Sequence, residues 1–358
     1  MNMKSLLIVV LLSLAALGGC SVPASHVVYV PLPSLNEVDV FQVKNGNGAL
    51  TEVIGAPFPA GNGPIAICVP PGSKFAYTAN QKDNDISLLK IDPSSGGLTE
   101  ILPRTPARFN PVALTTDSAG KFLFVANEGA SNISVYSIDP GSGKLTEVQG
   151  SPFSTPLNPA ALVLSPSDKF LYVANAGINS VSAYSVDTGT GAIQPLAGSP
   201  FLVGRLPSAL AITPSNSFLF AANTTDNTIS ALSINADGSL SNISGSPFVA
   251  GTNPTTMVVH PNGNFLYAGN RGGNISSFTI GSDGVLTSIT QSVTFSNGVS
   301  IAMDPTQKFV IGASQNSLQT FSITNNASTT SLSTNGGLNT TPNSALLIST
   351  PGAIFVTP

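Results

Sequence analysis

The chain has 358 residues, of which 42% are apolar and only 8% charged, with a formal net charge of −4. That balance leaves no basic footprint for nucleic acid and no cationic patch for a membrane surface. With 34 glycines, 28 prolines and no long helical pattern, the composition is that of many short strands joined by turns.

In chain order, residues 1–20 carry one lysine, Lys4, then an apolar run over 6–17 and small residues. That is the layout of a secretory signal. About 12 apolar residues are too few to cross a bilayer, which takes about 20 in a helix. Leu17-Gly18-Gly19-Cys20 resembles the bacterial lipobox. The resemblance implies a lipidated Cys20 as the first mature residue, a short tether over 21–25, and a cell-envelope location held through the lipid alone. Ser21, rather than Asp, after Cys20 fits an outer-membrane address. With Cys20 so used, Cys68 has no disulfide partner, and its place in Ile65-Ala66-Ile67-Cys68-Val69 predicts a buried small hydrophobe.

From residue 26 to 358 one motif recurs. Phe122-Leu123-Phe124-Val125-Ala126-Asn127 returns as Phe75 to Asn80, Phe170 to Asn175, Phe218 to Asn223 and Phe265 to Asn270, with the asparagines 47 or 48 residues apart. Weaker copies occupy 309–314, 27–32 and 353–358. A period in the forties containing strand-like runs predicts an all-β, seven-bladed propeller of four-stranded blades.

One unit, residues 158–197, shows the blade. Its first strand is Pro159 to Leu164, and the turn Ser165-Pro166-Ser167-Asp168-Lys169 leads to the second, which is apolar on both sides and so expected between neighbouring sheets. The third, Ser180 to Val186, alternates and is expected nearer solvent on one side, as is Ile133 to Ile138. The fourth is Ala192 to Ala197. Gly-Ser-Pro-Phe at 150–153, 198–201 and 245–248 then crosses to the next blade, its phenylalanine expected to plug the gap between sheets.

Seven first strands follow residues 63, 110, 158, 206, 253, 297 and 343, whereas the first unit opens at its second strand. The missing inner strand is therefore expected from the C-terminus, with Ser344-Ala345-Leu346-Leu347-Ile348 closing the ring and removing its edges. Residues 353–356 and 27–30 then compete for one second-strand slot.

The Phe-Leu-Tyr-Val-Ala-Asn run, the Gly-Ser-Pro-Phe crossing and the Gly-x-x-Pro lead-in at 61–64, 204–207 and 251–254 resemble the propeller-type lactonase family and the Tyr-Val-Thr-Asn repeat propellers. The resemblance implies the propeller fold. It also implies an activity of the 6-phosphogluconolactonase kind, a lactone hydrolase, if the chain is an enzyme, and export sets it apart from the cytoplasmic members. WD40 and kelch propellers match less well, since the chain has no Trp.

Topology sorts charge by face. Turns from second to third strands, and crossings between blades, share one end, the top. All four arginines, Arg104, Arg108, Arg205 and Arg271, fall there, while Lys74, Lys121, Lys144, Lys169 and Lys308 fall in bottom turns. Arginine suits a bidentate grip on carboxylate or phosphate. Arg108 and Arg205, lying just before inner strands, are expected to be the anion-binding pair, with Arg104 and Arg271 steering. Glu128 and Asp226, also on top, are either loop carboxylates or groups that activate water. The recurring asparagines are expected to close local turns. His26 and His260 sit on the bottom, away from such a site, so neither a Ser-His-Asp triad nor a histidine metal cluster is expected, and no cofactor is implied. Two readings stand: a lipid-anchored binding propeller for a small anionic ligand, glycan or envelope protein, and a lactonase.

Overall fold

The Phe-Leu-Tyr-Val-Ala-Asn runs become the second strands of seven antiparallel sheets, the blades of a propeller. The computed structural model describes residues 25–295, 297–315, 317–326, 329–334 and 353–356. Residues 1–24, with Cys20 and most of the tether, and residues 344–348 lie outside the described residues. Among those described, no helix is long and apolar enough to cross a membrane.

Blade 1 contains Ser25–Leu32, Glu37–Lys44 and Leu50–Glu52. Blades 2 to 7 begin with the inner strands Pro64–Cys68, Pro111–Thr116, Pro159–Leu164, Pro207–Ile212, Pro254–Val259 and Gly298–Met303. Each runs antiparallel to its second strand, and consecutive inner strands pack side by side around the axis. In blades 1, 3, 4 and 5 the crossing adds a short fifth strand. Its phenylalanine, Phe58, Phe153, Phe201 or Phe248, pairs with the third strand. Blades 2 and 6 instead carry one nine-residue outer strand, Leu98–Pro106 and Leu286–Thr294, with a register shift where the third strand accommodates it.

The second strands owe their composition to neighbours on both faces. Phe122–Asn127 is buried throughout, apolar on both faces up to its closing asparagine, as befits a strand between sheets. Each buried large side chain there contributes roughly 1.5–3 kcal/mol. Tyrosines at the third position also tie blades together: the hydroxyls of Tyr29, Tyr77 and Tyr172 donate to the carbonyls of Gly96, Gly143 and Gly238 in the following blade, at 3.0, 2.7 and 3.0 Å. Burial raises the pKa of each of these hydroxyls, so they remain donors.

The alternation of the third strands does not mark a solvent face. Ser87, Ser134, Ser182 and Ser230 are buried because they receive the recurring asparagines. Asn80, Asn127, Asn175 and Asn223 donate from Nδ2 to these serines at 2.9–3.0 Å and to a second oxygen five residues on. The asparagines thus lock the hairpin between second and third strands. Ser87 and Ser230 accept in turn from the backbone N–H of Gly61 and Gly204, which lead into the same blade. A Cβ at Gly61 would fall 2.2 Å from Asn80 Nδ2, which is why the Gly-x-x-Pro motif begins with glycine.

Closure differs from the sequence expectation. Val28 and Tyr29 pair antiparallel with Val356 and Phe355, so Ser25–Leu32 fills the second-strand slot and Phe355–Val356 the inner one. There is no competition for one position. The Ala353 N–H donates to the Ile65 carbonyl in blade 2 at 2.8 Å, and that of Ile354 to Ser300 Oγ in blade 7 at 3.3 Å. The final run wins the inner slot because it is held from both sides of the seam.

Candidate functional site

The residue after each second strand takes the same place in six blades. Gln81, Glu128, Ala176, Thr224, Arg271 and Gln315 each donate their backbone N–H to the residue that leads into the inner strand: Gly63, Asn110, Asn158, Leu206, Asn253 and Asn297, at 2.8–3.3 Å. Because the inner strands surround the axis, these residues ring its top opening. We call this ring the mouth.

Two of its members are charged. Glu128, on blade 3, is half-buried, and its Oε2 accepts from Asn110 Nδ2 at 2.7 Å. Arg271, on blade 6, has a solvent-accessible side chain, yet enough protein surrounds it that desolvation lowers its pKa. Three blades apart in a ring of seven, Glu128 and Arg271 stand on blades at opposite sides of the axis. Beside the ring, blades 5 and 6 are tied together by buried hydrogen bonds: Thr224 Oγ1 bonds to Ser208 Oγ at 2.6 Å and to the Pro254 carbonyl at 2.8 Å, and Asn253 Nδ2 donates to the Thr224 carbonyl.

Arg104, Arg108 and Arg205 are each paired with carboxylates. Arg108 NH2 contacts both oxygens of Glu147 at 2.8 and 3.0 Å, on the outer strand of blade 3, which turns it away from the axis. Arg205 donates from Nε to Asp226 Oδ1 at 2.5 Å and from its backbone to Oδ2 at 2.7 Å. The structure thus gives Arg108 and Arg205 separate partners on separate blades. Arg104 lies within the outer strand of blade 2 rather than in a loop, because that strand runs unbroken to Pro106. It is bidentate to Glu100 at 2.7 and 3.2 Å and reaches Asp83 at 3.2 Å. Glu100 and Glu147 close the repeated Leu-Thr-Glu of the fourth strands, the sequence signal by which these partners could have been found.

Asp226 has a structural duty. Its carboxylate grips the backbone N–H of Arg205 as Asp83 grips that of Asn62 at 2.9 Å, and those hydrogen bonds lower both pKa values. Of the two candidate carboxylates, only Glu128 stands at the mouth. The histidines lie on the bottom, buried. His26 Nε2 is 3.6 Å from Asp304 Oδ2, His260 Nδ1 accepts from the Asn262 N–H, and burial lowers the pKa of both. Cys68 is fully buried with its thiol pKa raised by desolvation, an inert core residue.

A family profile described as "Lactonase, 7-bladed beta-propeller" matches residues 22–158, 150–257 and 244–344. Among curated proteins none matches the chain in sequence. Among solved structures, a candidate 6-phosphogluconolactonase from Bacteroides fragilis superposes with a TM-score of 0.80 at 18% identity, covering 95% of this chain and all of that one. A second, from Bacteroides uniformis, gives 0.78 at 18%, covering 93% and 100%. The periplasmic gluconolactonase of Pseudomonas aeruginosa gives 0.75 at 16%, covering 93% and 99%. Such identities speak for the fold alone, while the profile spans nearly all of the chain after the proposed signal. The chain belongs to the lactonase family of seven-bladed β-propellers.

Proposed function

We propose that this propeller is exported, anchored to the bacterial outer membrane through Cys20, and holds a small anionic molecule in its top mouth. The observation that carries the reading is the placement of Arg271 and Glu128 at equivalent positions of facing blades, where the other blades present Gln, Ala or Thr. Arg271 supplies the charge-assisted contact to a carboxylate or phosphate. Arg104, Arg108 and Arg205, committed to carboxylates, shape the surrounding field and would contact a larger occupant, a glycan or an envelope protein, only by exchanging those partners.

Family membership favours a second reading at the same place, lactone hydrolysis. Water adds to the lactone carbonyl carbon while Glu128 takes its proton. Arg271 stabilises the oxyanion so formed, and collapse breaks the ring C–O bond, whose oxygen recovers the proton to give the hydroxy acid.

Calorimetric titration of the full chain with gluconate and 6-phosphogluconate, beside pH-stat turnover of glucono-δ-lactone, separates the readings. Binding without turnover supports the binding propeller, and turnover lost in Glu128→Gln supports the hydrolase. Failure to bind either anion or to open the lactone defeats both. The anchor is tested by Cys20→Ser, which is expected to lose membrane fractionation. A variant that remains mature and membrane-bound refutes it.

A further inference from the structure

The chain enters blade 1 from below. Ser25 pairs with Lys44 at the bottom end of the hairpin whose other end, Leu32 with Glu37, is the top. Ser25 lies five positions after Cys20, and a chain spans at most about 3.6 Å per residue, so a lipid on Cys20 is held within about 18 Å of this point. Ser25–Leu32 rises about 3.3 Å per residue, which sets the top of blade 1 about 23 Å from its bottom. The tether is therefore too short to lay the mouth on the membrane that holds the lipid.

Charge on the bottom is sorted by blade. Blades 7, 1 and 2, around the point where the chain emerges, carry Lys308, Lys44, Lys74 and Lys90, all exposed and all at the bottom ends of strands or in the turns beside them. None of the four forms an ion pair among the described residues. The bottom carboxylates of these blades are Asp92 and Asp304. Asp304 is fully buried and accepts from the N–H groups of Lys308 and Phe309 at 2.8 Å. Blades 3 to 6 reverse the balance, with Lys121, Lys144 and Lys169 against Asp117, Asp139, Asp168, Asp187, Asp237 and Asp283. Lys121 is moreover occupied, its Nζ donating to the Gly189 carbonyl at 2.7 Å. Residues 335–352, outside the described ones, carry no charged side chain. The two sides cancel in the net charge, which conceals a basic arc on the side where the tether emerges.

We propose that the bottom of blades 7, 1 and 2 rests on the anionic phospholipid headgroups of the membrane that holds Cys20, with blades 3 to 6 tilted away and the mouth open to water. This inference rests on the Cys20 anchor and adds to it a contact surface and a stance. The partner is a membrane surface because the length of chain between anchor and strand brings this face within reach of headgroups, and exposed lysines free of ion pairs match their charge. The outer strand of blade 1, which a side-on stance would lay down, carries exposed Glu52 and no basic residue. A ligand of the mouth then arrives through water, not out of the bilayer beneath.

The test uses the full lipidated chain in vesicles bearing a headgroup-bound quencher, made of phosphatidylcholine with phosphatidylglycerol or of phosphatidylcholine alone. A fluorophore is carried in turn by Gly46→Cys at the bottom of blade 1, Ala236→Cys at the bottom of blade 5 and Ser34→Cys at the top of blade 1. A Cβ at Gly46 meets nothing within 4 Å, Ala236 and Ser34 are exposed, and buried Cys68 stays unlabelled. Quenching is expected to be several-fold stronger at position 46 than at 34 in both kinds of vesicle, because the tether sets that order. The excess at 46 over 236 is expected to grow with phosphatidylglycerol. It falls back when salt rises from about 0.1 M to about 1 M, which shortens the Debye length from about 10 Å to about 3 Å. Replacing Lys44, Lys74, Lys90 and Lys308 together by Gln removes the same increment and, at four exposed sites, leaves the melting temperature as it was. A chain that fails to float with the vesicles overturns the anchor and this inference with it. Flotation with position 34 quenched as strongly as 46 overturns the stance while the anchor stands. An excess at 46 that neither phosphatidylglycerol nor the fourfold variant changes overturns the lysine contact.

Discussion

Two tyrosines at the same place in the repeat are predicted to answer the same substitution in opposite ways. Tyr172 is fully buried and its hydroxyl donates to the Gly238 carbonyl in the next blade at 3.0 Å. Tyr267 is equally buried, but its hydroxyl has no partner among the described residues. Tyr172→Phe removes a bond worth about 0.5–1.5 kcal/mol net and strands a buried carbonyl, for a loss of about 1–2 kcal/mol. Tyr267→Phe removes a buried hydroxyl with no partner among the described residues, whose desolvation costs about 1–3 kcal/mol, so that variant is expected to be neutral or more stable. With an unfolding entropy of about 2 cal/mol/K per residue over the propeller, the first variant melts about 1.5–3 °C below the native chain, and the second at or above it. Differential scanning calorimetry reads both. Equal losses in the two variants would refute the claim that the Tyr-to-Gly bonds tie neighbouring blades.

Closure gives a second prediction. Deleting residues 353–358 removes Ala353 and Ile354, both nearly fully buried, and the strand paired with Val28 and Tyr29, for a loss on the order of 5 kcal/mol; a native-like melt after this truncation would contradict closure by this run. A third concerns Asp39, which stands in blade 1 where Ser87 and Ser134 stand in blades 2 and 3. Burial, with Glu52 and Glu37 nearby, pushes its pKa up to about 7. A carboxyl raised in the folded state holds its proton there between about pH 4 and 7, so its contribution to stability is lost as pH rises through that window. Asp39→Ser is therefore expected to stabilise the chain at pH 8 by on the order of 3–4 kcal/mol and to do little at pH 4, as read by urea unfolding at the two values. His26 and His260, lowered by burial, act in the other direction below about pH 6.5 in both proteins and cancel in the comparison. A pH-independent difference would show that Asp39 is not the titrating group.

The fold was legible because a propeller writes its blade once and repeats it: the Phe-to-Asn runs, the Gly-x-x-Pro lead-ins and the crossing phenylalanines all occupy the places their spacing implies. Alternation misled at Ser134 and Ser182, since a serine that receives a buried asparagine reads like one that faces water. The closing strand was misassigned because residues 344–348 are apolar and stand where the spacing expects an inner strand, whereas 353–356 resemble a second strand and were set against 27–30; only the contacts of Ala353 and Ile354 with blades 2 and 7 show that the final run takes the inner place. The site was less legible for a different reason. An arginine in a top loop is visible in sequence, but whether a carboxylate takes it depends on a residue as far off as Glu147 is from Arg108. The mouth itself was within reach: the residue after each recurring asparagine could have been aligned across the blades, setting Glu128 and Arg271 apart from Gln81, Ala176, Thr224 and Gln315.

The most direct test of the proposed site is an arginine-by-arginine comparison of gluconate affinity. Arg271→Gln, Arg108→Gln and Arg205→Gln are each titrated in the full chain at one ionic strength. A charge-assisted bond in a partly desolvated opening is worth about 1.5–3 kcal/mol, so Arg271→Gln is expected to weaken binding roughly 10- to 150-fold. The other two, held by Glu147 and Asp226, are expected to change it less than threefold. Native affinity in Arg271→Gln, or a larger loss from Arg108 or Arg205, would contradict the assignment of the mouth as the site.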